Sequence, residues 1–132
     1  MKCAALTGIS PELIRDLRAG RPRTLEIQST QNILTIANIK VGPDVQIFLT
    51  STDAEDLGPG EIGICVDLLS ASISMKRMVE YAQGISFEER ERMSARVQVK
   101  YCFSSAVREV FREKLCAPTF VEVLKSSCYH AG

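Results

Sequence analysis

Arg18-Ala19-Gly20-Arg21-Pro22-Arg23-Thr24-Leu25-Glu26-Ile27-Gln28 is the stretch on which the reading of this chain turns. Just upstream, Ser10-Pro11-Glu12 is a strong helix start, with a hydroxyl at the N-cap, proline at the first helical position and an acid in the positive first turn. Leu13, Ile14 and Leu17 then make one apolar helix face, Arg15 and Arg18 fall on the other, and Gly20 ends the helix. After Pro22 the apolar period changes to two. Leu25 and Ile27 point one way and Thr24, Glu26 and Gln28 the other, as in a half-buried strand. Nowhere else does the chain set so many directed polar groups beside a backbone constrained by Gly and Pro, so the stretch reads as a site as well as a junction.

Outward from it, Cys3-Ala4-Ala5-Leu6 fits a first strand broken by Thr7-Gly8. Ile33, Leu34, Ile36 and Ala37 recur at helical spacing behind Thr30 as a cap, although the Thr and Ile content also fits a strand. Gly42-Pro43-Asp44 is a turn into the strand Val45-Gln46-Ile47-Phe48-Leu49, and residues 51–60 are a polar loop closed by Leu57-Gly58-Pro59-Gly60. Residues 62–69 are nearly all apolar and read as a central strand, with Gly63 marking a bend or bulge. Residues 73–81 fit helix or strand. Ser86 and Glu89 have capping-box spacing and predict a charged helix. In residues 96–103, Val97, Val99, Tyr101 and Phe103 alternate with Arg96, Gln98, Lys100 and Cys102, which predicts a strand. Ser105 caps a predicted helix over 105–115 with Val107, Val110, Phe111 and Leu115 as its stripe. A last strand covers 120–124, and 126–132 reads as a loosely held tail.

Short strands interrupted by helices, without regular alternation, predict an α+β fold. The expectation is a small curved barrel or mostly antiparallel sheet decorated by helices, one domain over residues 1–132. Leu25, Ile27, Ile47, Leu49, Ile64, Val66, Val97 and Val99 belong inside it.

The 132 residues carry a formal net charge of zero, which argues against a strong non-specific nucleic-acid binder but leaves room for a local basic patch. Charge is uneven: from Val41 to Asp67 there is no Lys or Arg, while Asp44, Asp53, Glu55, Asp56, Glu61 and Asp67 accumulate. Cys3, Cys65, Cys102, Cys116 and Cys128 form no C-x-x-C pair, and the one histidine, His130, lies beside the terminus. That argues against a Cys/His zinc site and a histidine-based nucleophile, with Cys128-Tyr-His130 at most an adventitious metal site, so neither a structural metal nor a cofactor is expected. An odd number of cysteines reads as reduced thiols in a cytoplasmic protein. No apolar run approaches the roughly 20 residues of a membrane span, so no membrane partner is expected. Met75 and Met78 read as packing residues, Cys65 and Cys102 as strand thiols, and the sequence leaves the oligomeric state open.

Residues 23–28 resemble a known family. Domains of the ASCH type, within the PUA-like superfamily, carry a helix followed by a motif of the form Gly-x-Lys-x-x-Glu-x-Arg. Leu13 to Ala19 resembles that helix, Gly20 the glycine, Arg23 the lysine and Glu26 the glutamate. Gly42-Pro43-Asp44-Val45 resembles the family's Gly-Asp turn, and Gly60-Glu61-Ile62-Gly63 its later turn into a central barrel strand. The chain departs from the motif by one extra residue between Gly20 and Arg23, by arginine for lysine, and by Gln28 for the final arginine. The likeness covers the first half of the chain. As a whole the chain also resembles a family of uncharacterised archaeal proteins. The PUA-like resemblance implies recognition of RNA or a nucleotide. Some ASCH-like proteins instead hydrolyse modified nucleosides.

The residues themselves suit a phosphate or nucleobase ligand. Arg18, Arg21 and Arg23 offer guanidinium forks for phosphate, Gly20 permits close backbone approach, and Thr24 offers a hydroxyl. Glu26 can accept from a base amino group or hold an arginine, and Gln28 shares its face. The plainer alternative is a solvated arginine cluster at the negative end of a helix, with Glu26 as a surface partner. Arg96 and Lys100 either extend a positive surface or make the wet face of a strand. By resemblance, hydrolysis relies on the motif lysine as a deprotonatable group, and the guanidinium of Arg23 stays protonated. The expectation is therefore a non-catalytic binding module for RNA or a nucleotide, built on residues 18–28. A small amidohydrolase for a modified nucleoside, or a protein-interaction subunit without nucleic-acid binding, are the competing readings.

Overall fold

The chain runs β1 (Lys2–Leu6), α1 (Pro11–Arg18), β2 (Arg23–Ile27), α2 (Thr30–Ala37), β3 (Gln46–Leu49), β4 (Ile62–Ala82), β5 (Ser86–Phe111) and β6 (Phe120–Val123). These elements come from a computed structural model that describes residues 1–42, 44–82, 86–112 and 118–124, with the backbone alone over 76–82 and 86–92. The fold is α+β and mostly sheet. The strands lie in the order β2-β5-β4-β3-β1-β6, and β6 pairs a second time with the end of β5. Hydrogen-bonded pairing therefore passes from β5 through β4, β3, β1 and β6 and returns to β5. Every pair is antiparallel except β1 with β3. A parallel pair needs a long connection, and the segment α1-β2-α2 supplies it.

Apolar side chains fill both faces of this sheet. One cluster joins Leu6, Ile14, Leu17, Leu25, Ile27, Ile33, Ile36, Ile47, Leu49, Ile64, Val66, Val97 and Val99, so all eight residues expected inside are there. The other, around Phe48, Cys65, Val107 and Val121, draws on all five strands of the circuit and on Leu57 of the loop. The helices form on the first face. In α1, Ile14 and Leu17 are buried and Gly20 closes the C-terminus at φ +94°. Ser10 holds the N-cap position without a side-chain cap hydrogen bond. Residues 30–37 are helical, and the cap is Ser29 instead of Thr30: the Ser29 hydroxyl accepts from the Asn32 amide at 3.4 Å.

Three expectations are corrected. Ser86 and Glu89 do not begin a helix, because β5 starts at Ser86 and pairs with β4 from Ala82 onward. The expected helix over 105–115 is also strand as far as Phe111. The Ser105 hydroxyl donates to the Leu124 carbonyl at 3.0 Å instead of capping a helix, and Val107 exchanges backbone hydrogen bonds of 2.8 Å with Glu61 and Gly60. Local spacing in both segments suits a helix, but pairing with β4 as far as Ala106 and with β6 from Val107 to Phe111 holds them as strand. Leu115 and the expected tail at 126–132 lie outside the described residues. The third correction concerns alternation. Val66 faces Tyr101 while Cys65 faces Phe103, so Cys102 is an extra residue. Tyr101 consequently packs on the first cluster and Phe103 on the second.

Gly63 has a different role from the bend expected of it, since the register shifts fall at Cys65/Val66 and Leu68/Ser70. A Cβ at this position would collide with the Leu49 carbonyl oxygen and sit 2.5 Å from Cζ of Phe48. Glycine is required there so that the fully buried Phe48 ring can lie against the β4 backbone.

Candidate ligand cleft

The end of β2 leads into a cleft of about 410 Å³. Its walls are the β1–α1 connection from Thr7 to Ser10, Leu13 of α1, residues 25–29, the first turn of α2, and Asp53 and Ala54 of the β3–β4 loop. Each wall is tied to the scaffold. Gly8, at φ +64°, donates its amide to Thr52 at 2.9 Å, and Ile9 donates to Thr50 at 3.0 Å. Asn32 is buried and clamps β1 to α2: its Oδ1 accepts from the Thr7 amide at 3.0 Å and its Nδ2 donates to the Thr7 carbonyl at 2.8 Å. Behind it, Thr35 Oγ1 accepts from the Thr119 amide at 3.2 Å, and Gln31 Nε2 donates to Thr119 Oγ1 at 2.9 Å. The β3–β4 loop is held from outside by Arg112, whose Nη1 donates to the Ala54 carbonyl at 2.8 Å.

Six residues were singled out from the sequence. Glu26 and Gln28 both line the cleft, beside the apolar walls of Leu25 and Ile27. Arg23 is half-exposed at the start of β2 and forms an ion pair of 2.9 Å with Asp16 of α1. Arg18, Arg21 and Thr24 are exposed and lie outside the cleft lining. Thr24 shares the Glu26 face of β2, one pleat away. Across the ladder Glu26 stands opposite Arg96 and Thr24 opposite Gln98, so Arg96 reaches the same wet face. Lys100 is set farther along, opposite Asp67.

Sequence reasoning missed Gly8, Ser10, Asn32 and Asp53. Gly8 carried a usable signal, since a glycine between a strand and a proline-led helix start marks a βα turn. Asn32 carried none, because an asparagine in a first helical turn looks solvated until β1 is seen above it.

The charged groups lining the cleft are the carboxylates of Glu26 and Asp53, with no Lys, Arg or His among the described residues. Both helices also begin at its edge, through Ser10 and through Ser29. The walls thus offer two carboxylate acceptors, from β2 and from the β3–β4 loop, together with the Ser10 and Ser29 hydroxyls and apolar side chains. Among the described residues no group of three His, Cys, Asp or Glu side chains could hold a metal ion.

The described thiols, Cys3, Cys65 and Cys102, are set apart from this cleft. Cys65 is buried, and its hydrogen bond with Cys3, reinforced by burial, pushes its pKa up. Cys102, half-buried at the bulge, accepts from Gln46 Nε2 at 3.4 Å. Desolvation, together with the neighbouring Asp67, pushes its pKa up to about 11. Met75, expected to be packed, is 59% exposed. No helix among the described residues is long and apolar enough to cross a membrane.

Comparison with known proteins gives a family match over most of the length: the model described as "Protein of unknown function (DUF473)" matches residues 1–121. An uncharacterized protein of Methanocaldococcus jannaschii, MJ0105, is 33% identical over 100 residues, which cover 76% of this chain and 60% of that protein. No solved structure matches.

Proposed function

The chain belongs to the DUF473 family, and from that premise we propose that it is a non-catalytic binding module for RNA or a nucleotide, with a PUA-like, ASCH-like barrel formed by the circuit of β1, β3, β4, β5 and β6. The observation that carries this reading is the continuity of β2. One strand brings Glu26 and Gln28 into the cleft and ends, at its other extremity, beside Arg21 and Arg23. A nucleobase suits the cleft and a phosphate suits the arginines. Glu26 accepts from a base amino group, the Ser10 and Ser29 hydroxyls donate to ring nitrogens or carbonyls, and the half-buried Leu13 supports the ring face.

Two carboxylates in the cleft disfavour a phosphate there, and the acidic stretch from Asp44 to Asp67 disfavours one elsewhere on that side. Arg18, Arg21 and Arg23 are therefore the phosphate contacts of the reading. The Arg23–Asp16 pair is about half-exposed, so releasing its guanidinium to a phosphate costs at most about 1 kcal/mol.

The test is a salt titration of short single-stranded RNA oligonucleotides by fluorescence anisotropy, with wild type, Arg21→Ala, Arg23→Ala and Glu26→Ala. Lys40→Ala serves as the exposed-cation control. Arg112 is unsuitable as a control because it holds the cleft wall at Ala54. Each arginine lost should lower the slope of log affinity against log salt by about 0.7–1. Glu26→Ala should change preference among bases more than overall affinity. Absence of binding at low salt, or equal weakening by Lys40→Ala, would overturn the reading.

A further inference from the structure

The polar side chains that line the cleft divide into two groups. Asn32, Gln31 and Ser29 use their hydrogen bonds on the scaffold: Asn32 clamps Thr7, Gln31 donates to Thr119 Oγ1, and the Ser29 hydroxyl accepts from the Asn32 amide. Ser10, Glu26, Gln28 and Asp53 make no side-chain hydrogen bond or ion pair with any described residue. Glu26 is the informative member of this second group. Arg96 stands directly across the ladder from it, where opposite charges commonly meet, yet no ion pair joins them. Glu26 instead lines the cleft, with both carboxylate oxygens free of donors among the described residues.

No Lys, Arg or His lines the cleft among the described residues, so a ligand that engages the carboxylates must bring its own N–H donors. An ionised carboxylate is acceptor-only, and its two oxygens are best matched by two parallel donors side by side. Nucleobases differ in whether they present such a pair. On its Watson–Crick edge guanine carries N1–H beside the 2-amino group. Adenine and cytosine each set an amino donor beside a ring-nitrogen lone pair, and uracil sets one N–H between two carbonyls. Against any of these three, one carboxylate oxygen meets a lone pair instead of a proton.

We propose, resting on the nucleobase reading above, that the cleft selects guanine, with Glu26 accepting from N1–H and the 2-amino group together. Repulsion of the wrong bases contributes to this choice as well as attraction of the right one. The Ser10 and Ser29 hydroxyls and the Gln28 amide remain as donors for O6 and N7. Size is compatible too: at about 410 Å³ the cleft falls within the range of small-ligand sites, about 300–1,000 Å³, and admits a purine.

Fluorescence anisotropy tests this with short oligouridylates that carry guanine, hypoxanthine, adenine, cytosine or uracil at one central position. The guanine oligonucleotide should bind about 10-fold or more tightly than those with adenine, cytosine or uracil, the discrimination expected of one bidentate contact. Hypoxanthine keeps N1–H and lacks the 2-amino group, so it should fall between guanine and adenine. Glu26→Gln replaces one acceptor by a donor. It should lose the guanine preference and favour adenine or cytosine, whose edges set a donor beside an acceptor. Glu26→Ala should lose the preference without acquiring a new one, and Asp53→Asn should keep it. Thermal melts establish that each variant is folded. Equal binding of all the oligonucleotides, or a guanine preference that persists in both Glu26 variants, overturns the guanine assignment and leaves the nucleic-acid reading standing. Binding of none of them at low salt overturns both.

Discussion

Gly63→Ala is the sharpest probe of how the circuit of strands is packed. The added methyl would collide with the Leu49 carbonyl oxygen and stand 2.5 Å from Phe48 Cζ and 2.8 Å from Cε2. Ordinary carbon–carbon contact is at about 3.5 Å or more, so the ring must retreat by nearly 1 Å. It has no room to do so. Phe48 is fully buried among Ala5, Cys65 and Val121, and its own strand is fixed by pairing to both β1 and β4. The carbonyl is less able to move, because Leu49 pairs with Ile64, the residue after Gly63. Overpacking typically costs about 1–3 kcal/mol, and a backbone collision belongs at the upper end. The conformational advantage of alanine over glycine returns about 0.5–1 kcal/mol. The net expectation is a destabilisation of about 2–2.5 kcal/mol, measured by urea denaturation. Adding Phe48→Leu should recover part of it, with a coupling of at least about 1 kcal/mol between the two sites. A loss below about 0.5 kcal/mol, or strict additivity, would refute the packing described for this ring.

Two further outcomes follow from single residues. Asn32→Ala removes both partners of the Thr7 backbone amide and carbonyl, which should destabilise the fold by about 2–4 kcal/mol in urea melts. Asn32→Asp should fall between it and wild type, since it keeps the acceptor for the amide and loses the donor to the carbonyl. Cys102, with its pKa raised to about 11, should be alkylated by iodoacetamide at pH 8 about 100-fold more slowly than an ordinary thiol, read by peptide mass spectrometry. Because the folded value lies above the unfolded one, the thiol's contribution to stability is complete below about pH 9 and is lost as pH rises toward 11. Cys102→Ala should therefore flatten the decline in stability over that interval.

The stretch from Arg18 to Gln28 specified its own structure. Gly20 can adopt φ +94°, Pro22 cannot continue a helix, and the alternation from Thr24 to Gln28 buries Leu25 and Ile27 whichever strand lies beside them. The same holds for Ile47 to Leu49 of β3 and for β4 from Gly63 to Leu68, where every residue but Asp67 is buried, although Ile62 just before is exposed. The wet face that carries Glu26 and Gln28 was also legible, because a strand's polar face follows from its period alone. The second half of the chain was not legible in this way. Ser86 to Glu89 and Ser105 to Phe111 satisfy local helix rules, yet their backbones lie in β5, since the partners β4 and β6 come from distant parts of the sequence. A one-residue bulge at Cys102 separated Tyr101 from Phe103, and no periodicity reports a bulge. The cleft is tertiary for the same reason. Gly8, Asn32 and Asp53 come from three separate segments, and only the closing of β1 onto α2 and the β3–β4 loop makes them neighbours of Glu26.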